Sequence, residues 1–133
     1  MSIDISGPWA RMSAIEPNEA GGYFTVTNKG READRLIAAE SPAAKIEIHG
    51  IKVVGYGIRM LPLEKGLGLP PDTAITLKPR GYHLFMVVEA PLTQGQKVPV
   101  TLSFEKAGTL RIELVVEAPG PVGNQTLWEH QPG

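Results

Sequence analysis

The 133-residue chain contains no cysteine. This absence excludes thiolate catalysis, disulfide bonds and every metal site that depends on cysteine. The chain also lacks an apolar run of about twenty residues, the length that a membrane-spanning helix requires, so no membrane insertion is expected. Its formal net charge is only −1, which favours neither nucleic acid nor an anionic lipid surface as a partner.

Sequence motifs of the common enzyme classes are missing as well. There is no GxSxG elbow, no P-loop and no GxGxxG that opens a helix. The pair of glycines in Gly66-Leu67-Gly68 is interpreted as a loop, because no helix start follows it to bind a phosphate. The carboxylates are scattered singly along the chain, which does not support a paired-carboxylate hydrolase. We therefore expect a protein that is not an enzyme.

The chain is rich in residues that end strands and form turns. Its 15 glycines and 12 prolines fall at short, regular intervals between segments rich in β-branched and aromatic residues. Apolar and polar residues alternate in four of these segments, and further strands are expected in five others: 45–51, 74–77, 98–104 and 110–117, then 8–14, 22–27, 34–39, 56–61 and 83–88. The pattern predicts an all-β sandwich or barrel.

One domain is expected in a chain of this length. No internal repeat or linker divides it, but the composition changes near its end. From Pro119 onward the sequence is rich in Gly, Pro, Asn and Gln. We therefore predict a domain at 1–118 and a tail at 119–133 that lies outside the main sheets.

Two histidines are candidates for a site at one end of the sandwich. His49 alternates with Ile46 and Ile48, so it is expected to face away from the core, and Gly50 follows it. His83 opens the strand at 83–88. The residues alone leave two interpretations open, because each histidine could also be an ordinary exposed or hydrogen-bonded side chain.

Two methionines lie near these histidines in the sequence. Met60 should face the core together with Ile58, unless Pro62 bends the strand. Met86 alternates with His83 and should therefore point away from it, into the core. Thioether and imidazole ligands together suit Cu(I) rather than Mg²⁺ or Ca²⁺.

Several segments also carry a family resemblance, which covers residues 3 to 117. The longest of them are GYFTVTNKG, RMLPLE, LKPRGYHL and PVTLSFEKAG, accompanied by PWAR, EADRL and IEIH. Together they resemble the PCu(A)C family of periplasmic copper chaperones. The resemblance implies a cupredoxin-like Greek-key β-sandwich that carries Cu(I) in the periplasm and delivers it to a copper-accepting protein domain, such as the copper site of cytochrome c oxidase.

The resemblance also implies a ligand set. The family signature has a His with a Met close behind it, a second Met further on, and a later His-x-Met. Placed on this chain, it implies the ligands His49, Met60 and His83, whereas Ile51 and Phe85 occupy the other two Met positions. We therefore expect a Cu(I) site depleted in thioethers, on a protein whose native signal peptide is absent from this sequence.

Two hypotheses about function follow. In the first, the three residues bind Cu(I) and pass it to an acceptor by ligand exchange. In the second, Ile51 and Phe85 have converted the ligand cluster into an apolar surface of a protein- or ligand-binding module without metal. A separation of His49 and His83 too large to share one ion, with Met60 fully buried, would favour the second. His130 is expected to be a tail residue, with an additional ligand as the alternative.

Overall fold

The computed structural model describes residues 2–55 and 57–122. Within these ranges it contains ten β-strands and no helix, so none of the described residues form a helix that could cross a membrane. The strands are β1 (Ile3–Ser13), β2 (Glu19–Asn28), β3 (Asp34–Glu40), β4 (Ala44–Val54), β5 (Gly57–Pro62), β6 (Leu67–Leu69), β7 (Thr73–Thr76), β8 (His83–Val88), β9 (Lys97–Phe104) and β10 (Gly108–Gly120). The all-β prediction is confirmed.

The strands form one hydrogen-bonded ladder in the order β5-β4-β8-β2-β1-β10-β9-β3-β6, and β7 pairs with β2. Only the β1–β10 pair is parallel, whereas the other pairs are antiparallel. The ladder folds back so that β3 lies against β4. Neighbours such as β4 and β8, or β1 and β10, are far apart in sequence, so the site residues on them meet only in the folded chain.

Alternating apolar residues build the core between the two halves of the ladder. On β9, Val98, Val100, Leu102 and Phe104 are all buried, as the period of two predicts. Burial of such side chains is the main term that stabilises a cysteine-free domain. Met86 is fully buried in the same cluster, which confirms its predicted position in the core.

The first and last strands are longer than predicted. β1 begins at Ile3 rather than at residue 8, and β10 continues through Gly120, where it pairs with Ser13. Arg11 donates hydrogen bonds from its guanidinium to the carbonyl oxygen of Pro121. Residues 119–121, expected in the tail, therefore contact the sheet, because β1 provides a partner that composition alone does not reveal. The rest of the predicted tail, from residue 123, lies outside the described residues.

A short strand replaces the loop expected at the paired glycines. β6 pairs with β3, and its Leu67 and Leu69 are buried in the core. Gly66, which precedes it, has a φ of 84° and packs against the backbone of β3, where a Cβ would lie 3.0 Å from Cα of Ile37. Three residues are too few to show alternation, so the loop prediction was wrong.

Asp34, at the start of β3, connects that strand to the turn between β9 and β10. Its Oδ1 accepts the N–H of Lys106 at 2.8 Å, and its Oδ2 accepts the N–H of Ala107 at 3.0 Å. Charged acceptors of this kind form stronger hydrogen bonds than neutral ones. The carboxylate therefore fixes the hairpin turn between β9 and β10.

Candidate metal centre

The three candidate ligands lie on one face of the β5–β4–β8 part of the sheet. His49 of β4 is directly opposite His83 of β8, and Ile51 of β4 is directly opposite Met60 of β5. Side chains of directly opposed residues project from the same face of a sheet, as do those two positions apart on one strand. His49, His83 and Met60 therefore share a face, and the core residues Ile48 and Leu84 point to the other one.

The two histidine rings are close enough to share one metal ion. Their ring centres are 5.3 Å apart and their planes are inclined by 60°. A metal lies about 2.0–2.1 Å from a ligating ring nitrogen, which separates the centres of two coordinating imidazoles by roughly 5–6 Å. Of the two conditions that would favour a module without metal, the large separation of His49 and His83 is therefore not observed, whereas Met60 is buried.

His83 is held in a neutral form with one nitrogen unused. It is only 1% exposed, and its Nδ1–H donates a hydrogen bond to the carbonyl oxygen of Gly81 at 2.9 Å. Its Nε2 is buried and has no hydrogen-bond partner in the part of the chain that the structure describes. Burial is the main cause that lowers the pKa of His83, and the nearby His49 acts in the same direction. The ring therefore keeps a lone pair on Nε2, which a metal ion would use.

His49 is positioned by two neighbours. Its Nε2 lies 2.9 Å from Oε1 of Glu47, two residues earlier on β4. Phe85 stacks on the ring with a centre-to-centre distance of 4.8 Å and an angle of 17° between the planes. The imidazole is thus fixed in its plane by the stack and in its rotation by the hydrogen bond.

Met60 is buried on the face that carries the histidines. It is 6% exposed, yet it is not part of the main core cluster. The β4–β5 register runs without a bulge from His49 opposite Pro62 to Val54 opposite Gly57. Met60 thus shares the face of Ile58 and is buried, as expected, but this face is the one that carries the histidines and lies outside the main core cluster. The face of an edge strand depends on its pairing register, which the local sequence does not define.

The two positions at which the resemblance implies further methionines also belong to this face. Ile51 is partly exposed beside Met60, and Phe85 covers the ring of His49. Met86 points to the opposite face, where it pairs with Ile46 in the core. His130 lies outside the described residues.

The donor set of this face is soft. Within the described ranges, no group of three or more His, Cys, Asp or Glu side chains is arranged to hold a metal ion. The face therefore offers two imidazoles and one thioether. Such a set favours Cu(I) over ions that require several oxygen ligands.

Two aromatic residues that were not predicted from the sequence lie on the inner side of His83. The ring of Tyr23 lies 6.4 Å from that of His83 and 4.5 Å from that of Trp9, measured between ring centres. Burial raises the pKa of Tyr23 to about 12, although the charge of Arg11 acts in the opposite direction. Trp9 and Tyr23 are directly opposed on β1 and β2. The sequence did contain a signal for the position of Tyr23. It directly precedes Phe24, which faces the core, so its own side chain must point to the opposite face of β2.

Comparison with known proteins agrees with this architecture. Residues 3–116 match the LpqE-like family of predicted lipoproteins. A predicted lipoprotein of Leifsonia xyli subsp. xyli, Lxx21020, is 26% identical over 116 residues, which are 86% of this chain and 69% of the relative. The curated relative and this chain thus correspond over most of their lengths.

Solved structures show the same fold. The copper-bound PCuAC domain of PmoF2 superposes with a TM-score of 0.74 at 30% identity, covering 90% of this chain and 95% of that domain. The Cu(I) form of DR1885 from Deinococcus radiodurans gives a TM-score of 0.63 at 26% identity, covering 85% of this chain and 78% of DR1885. The chain therefore has the cupredoxin-like β fold and belongs to the LpqE-like family of PCu(A)C domains.

Proposed function

We propose that this domain is a copper chaperone that binds Cu(I) through His49, Met60 and His83 and passes it to an acceptor protein. The observation that carries the proposal is the buried Nε2 of His83. A buried ring nitrogen without a hydrogen-bond partner costs free energy, and in the described part of the chain no protein group compensates for it. A metal ion shared with His49 would supply the missing partner.

The chemistry of the donors supports Cu(I) as the cargo. Neutral imidazoles and a thioether are soft or borderline ligands, and Cu(I) accepts a low number of them. His83 needs no deprotonation to bind, because burial already lowers its pKa. Two of the matched structures are of copper-loaded domains, which points to the same ion.

The position of the site supports transfer rather than permanent storage. Met60 is on β5, which is an edge strand of the ladder, and the ring of His49 is partly accessible. An acceptor could therefore approach the ion from outside the sheet and replace the ligands one by one. We propose the copper site of cytochrome c oxidase as such an acceptor. The similarity to predicted lipoproteins favours a location outside the cytoplasm, in the periplasm.

A competition titration tests the proposal. The apo protein is titrated with Cu(I) in the presence of a chelator of known affinity, alongside the double variant His49→Ala, His83→Ala and the single variant Met60→Leu. We expect one tight site in the unchanged protein, loss of that site in the double variant and weaker binding in Met60→Leu. Glu64→Ala, which changes an exposed residue of the loop after β5, is the control and should bind like the unchanged protein.

Equal binding by the unchanged protein and the double variant would refute the proposal. The remaining hypothesis would then be a binding module without metal, in which Ile51 and Phe85 contribute an apolar contact surface. The partial exposure of Ile51 is compatible with that role.

A further inference from the structure

We infer that Glu47 is the positioning residue of the site, and that it commits His49 to bind the metal through Nδ1 while His83 binds through Nε2. This inference rests on the proposed function, since it concerns the same ion. It adds to the three ligands a residue that does not touch the ion, and it assigns the coordinating atom of each ring.

The two ring nitrogens of His49 differ in their partners. The carboxylate of Glu47 can only accept, so its 2.9 Å contact with Nε2 of His49 requires a proton on Nε2, and in the neutral ring the lone pair is then on Nδ1. In metal sites, a ligating histidine characteristically donates its other ring N–H to a carboxylate or a carbonyl oxygen. The Glu47–His49 pair has this arrangement, with Nδ1 as the coordinating atom.

Phe85 and Glu47 restrain the ring of His49 in different ways. Phe85 stacks nearly parallel to the imidazole, at 4.8 Å between centres. A parallel stack is almost unchanged when the imidazole flips by half a turn about its Cβ–Cγ bond, because the two ring orientations have nearly the same shape. The stack therefore defines the plane of the ring, and the hydrogen bond to Glu47 distinguishes Nδ1 from Nε2.

The two histidines use opposite ring nitrogens for their hydrogen bonds. His83 donates Nδ1–H to the backbone carbonyl oxygen of Gly81, which leaves Nε2 unpaired. His49 has the opposite arrangement, because its acceptor is a side chain on its own strand. The two directly opposed rings thus offer different nitrogens, and one fixed acceptor on each ring sets this difference.

Most of the Glu47 side chain remains in contact with solvent. The side chain of Glu47 is 61% exposed, whereas that of His49 is only 12% exposed. The carboxylate therefore remains hydrated while it contacts the inner ring, so it pays little of the desolvation penalty that a buried charge would carry. An anion at this place increases the basicity of the ligand nitrogen and so strengthens its bond to the metal.

Nitrogen-15 NMR of ring-labelled histidine tests the inference directly. In the apo protein we expect His49 with its proton on Nε2 and His83 with its proton on Nδ1. With Ag(I) added as a redox-inert substitute for Cu(I), one-bond silver–nitrogen coupling should appear at Nδ1 of His49 and at Nε2 of His83. Coupling at Nε2 of His49 would overturn the inference and leave the proposed function intact, whereas no coupling to either ring would overturn both.

Variants of Glu47 supply the second readout. Glu47→Ala should produce a mixture of His49 tautomers and weaken Cu(I) binding by about 10–100-fold, the usual cost of removing such an outer partner. Glu47→Gln keeps an acceptor oxygen and should restore the single tautomer and most of the affinity. Glu64→Ala removes an exposed carboxylate of the neighbouring loop and is the matched control. An unchanged tautomer and affinity in Glu47→Ala would refute the assignment.

Discussion

Ile51 and Met60 are directly opposed on β4 and β5, on the face that carries both histidines. A thioether at position 51 would therefore lie beside the sulfur of Met60. We expect Ile51→Met to tighten Cu(I) binding by at least about tenfold, or 1.4 kcal/mol, because it adds a soft ligand next to Met60 at a position that is 39% exposed. A competition titration against a Cu(I) chelator measures the change.

Val53→Met is the control for this gain. Val53 shares the face of Ile51, but its partner on β5 is Ile58 and it is 74% exposed, one pair further from the histidines. It should leave the affinity unchanged. Equally tighter Cu(I) binding in both variants would contradict the prediction, because the position of the additional methionine on this face would then not matter.

The ring of Tyr23 lies over Gly21, so we expect Gly21→Ala to destabilise the fold by about 1–3 kcal/mol. A Cβ at this position would lie 2.7 Å from Cζ of Tyr23 and would also meet its hydroxyl oxygen. Tyr23 is fully buried and packs against Trp9, so a shift away from the new Cβ would disturb that contact. Urea unfolding followed by far-ultraviolet circular dichroism measures the loss.

The matched substitution is Gly68→Ala on β6, where a Cβ would have nothing within 4 Å and φ is not positive. It should change the free energy of unfolding by less than about 0.5 kcal/mol. A similar loss in both variants would show that alanine is tolerated poorly for reasons other than the contact with Tyr23.

Alkaline pH should destabilise the protein through Tyr23. Its pKa is raised to about 12 in the folded state, against an ordinary value of 10.0. Between these values the unfolded chain releases the proton and the folded protein retains it. The contribution of Tyr23 is therefore fully present below pH 10 and is lost as pH rises towards 12, by about 2–3 kcal/mol in total.

Urea unfolding of the unchanged protein and of Tyr23→Phe between pH 9 and 11.5 measures this loss. The unchanged protein should lose stability more steeply than Tyr23→Phe as pH rises across this range. Parallel stability curves for the two proteins would contradict the prediction.

Loss of the Asp34 carboxylate should release the turn between β9 and β10. Asp34→Ala leaves the N–H groups of Lys106 and Ala107 without their acceptor, and we expect a destabilisation of about 1–3 kcal/mol. Asp4→Ala is the control, since Asp4 contacts Lys29 only in an exposed ion pair at 3.7 Å. Removal of the Asp4 carboxylate should lower the free energy of unfolding by less than about 1 kcal/mol. Thermal unfolding of both variants measures the difference.

Sequence alternation predicted most of the fold, because it depends only on neighbours along the chain. The buried face of β9, the outward direction of His49 and the core position of Met86 all follow from a period of two. β6 was missed because three residues contain too little of that period. The end of β10 was missed because its partner, β1, is more than a hundred residues away in sequence.

The candidate site was predicted less completely than the fold. The resemblance brought His49, Met60 and His83 together, but the face of Met60 depends on how β5 pairs with β4. The bond between Glu47 and His49 was within reach of sequence reasoning, since residues two apart on a strand share a face. By contrast, the burial of His83 beneath Tyr23 requires the pairing of β2 with β8, which no local pattern specifies.

None of the three candidate ligands belongs to the main core cluster, although two of them are buried. Donor atoms and core side chains thus occupy opposite faces of the same strands. A substitution on the donor face, such as Ile51→Met, therefore leaves the core packing as it was. The ligands that this face offers and the stability of the fold can thus change separately, one side chain at a time.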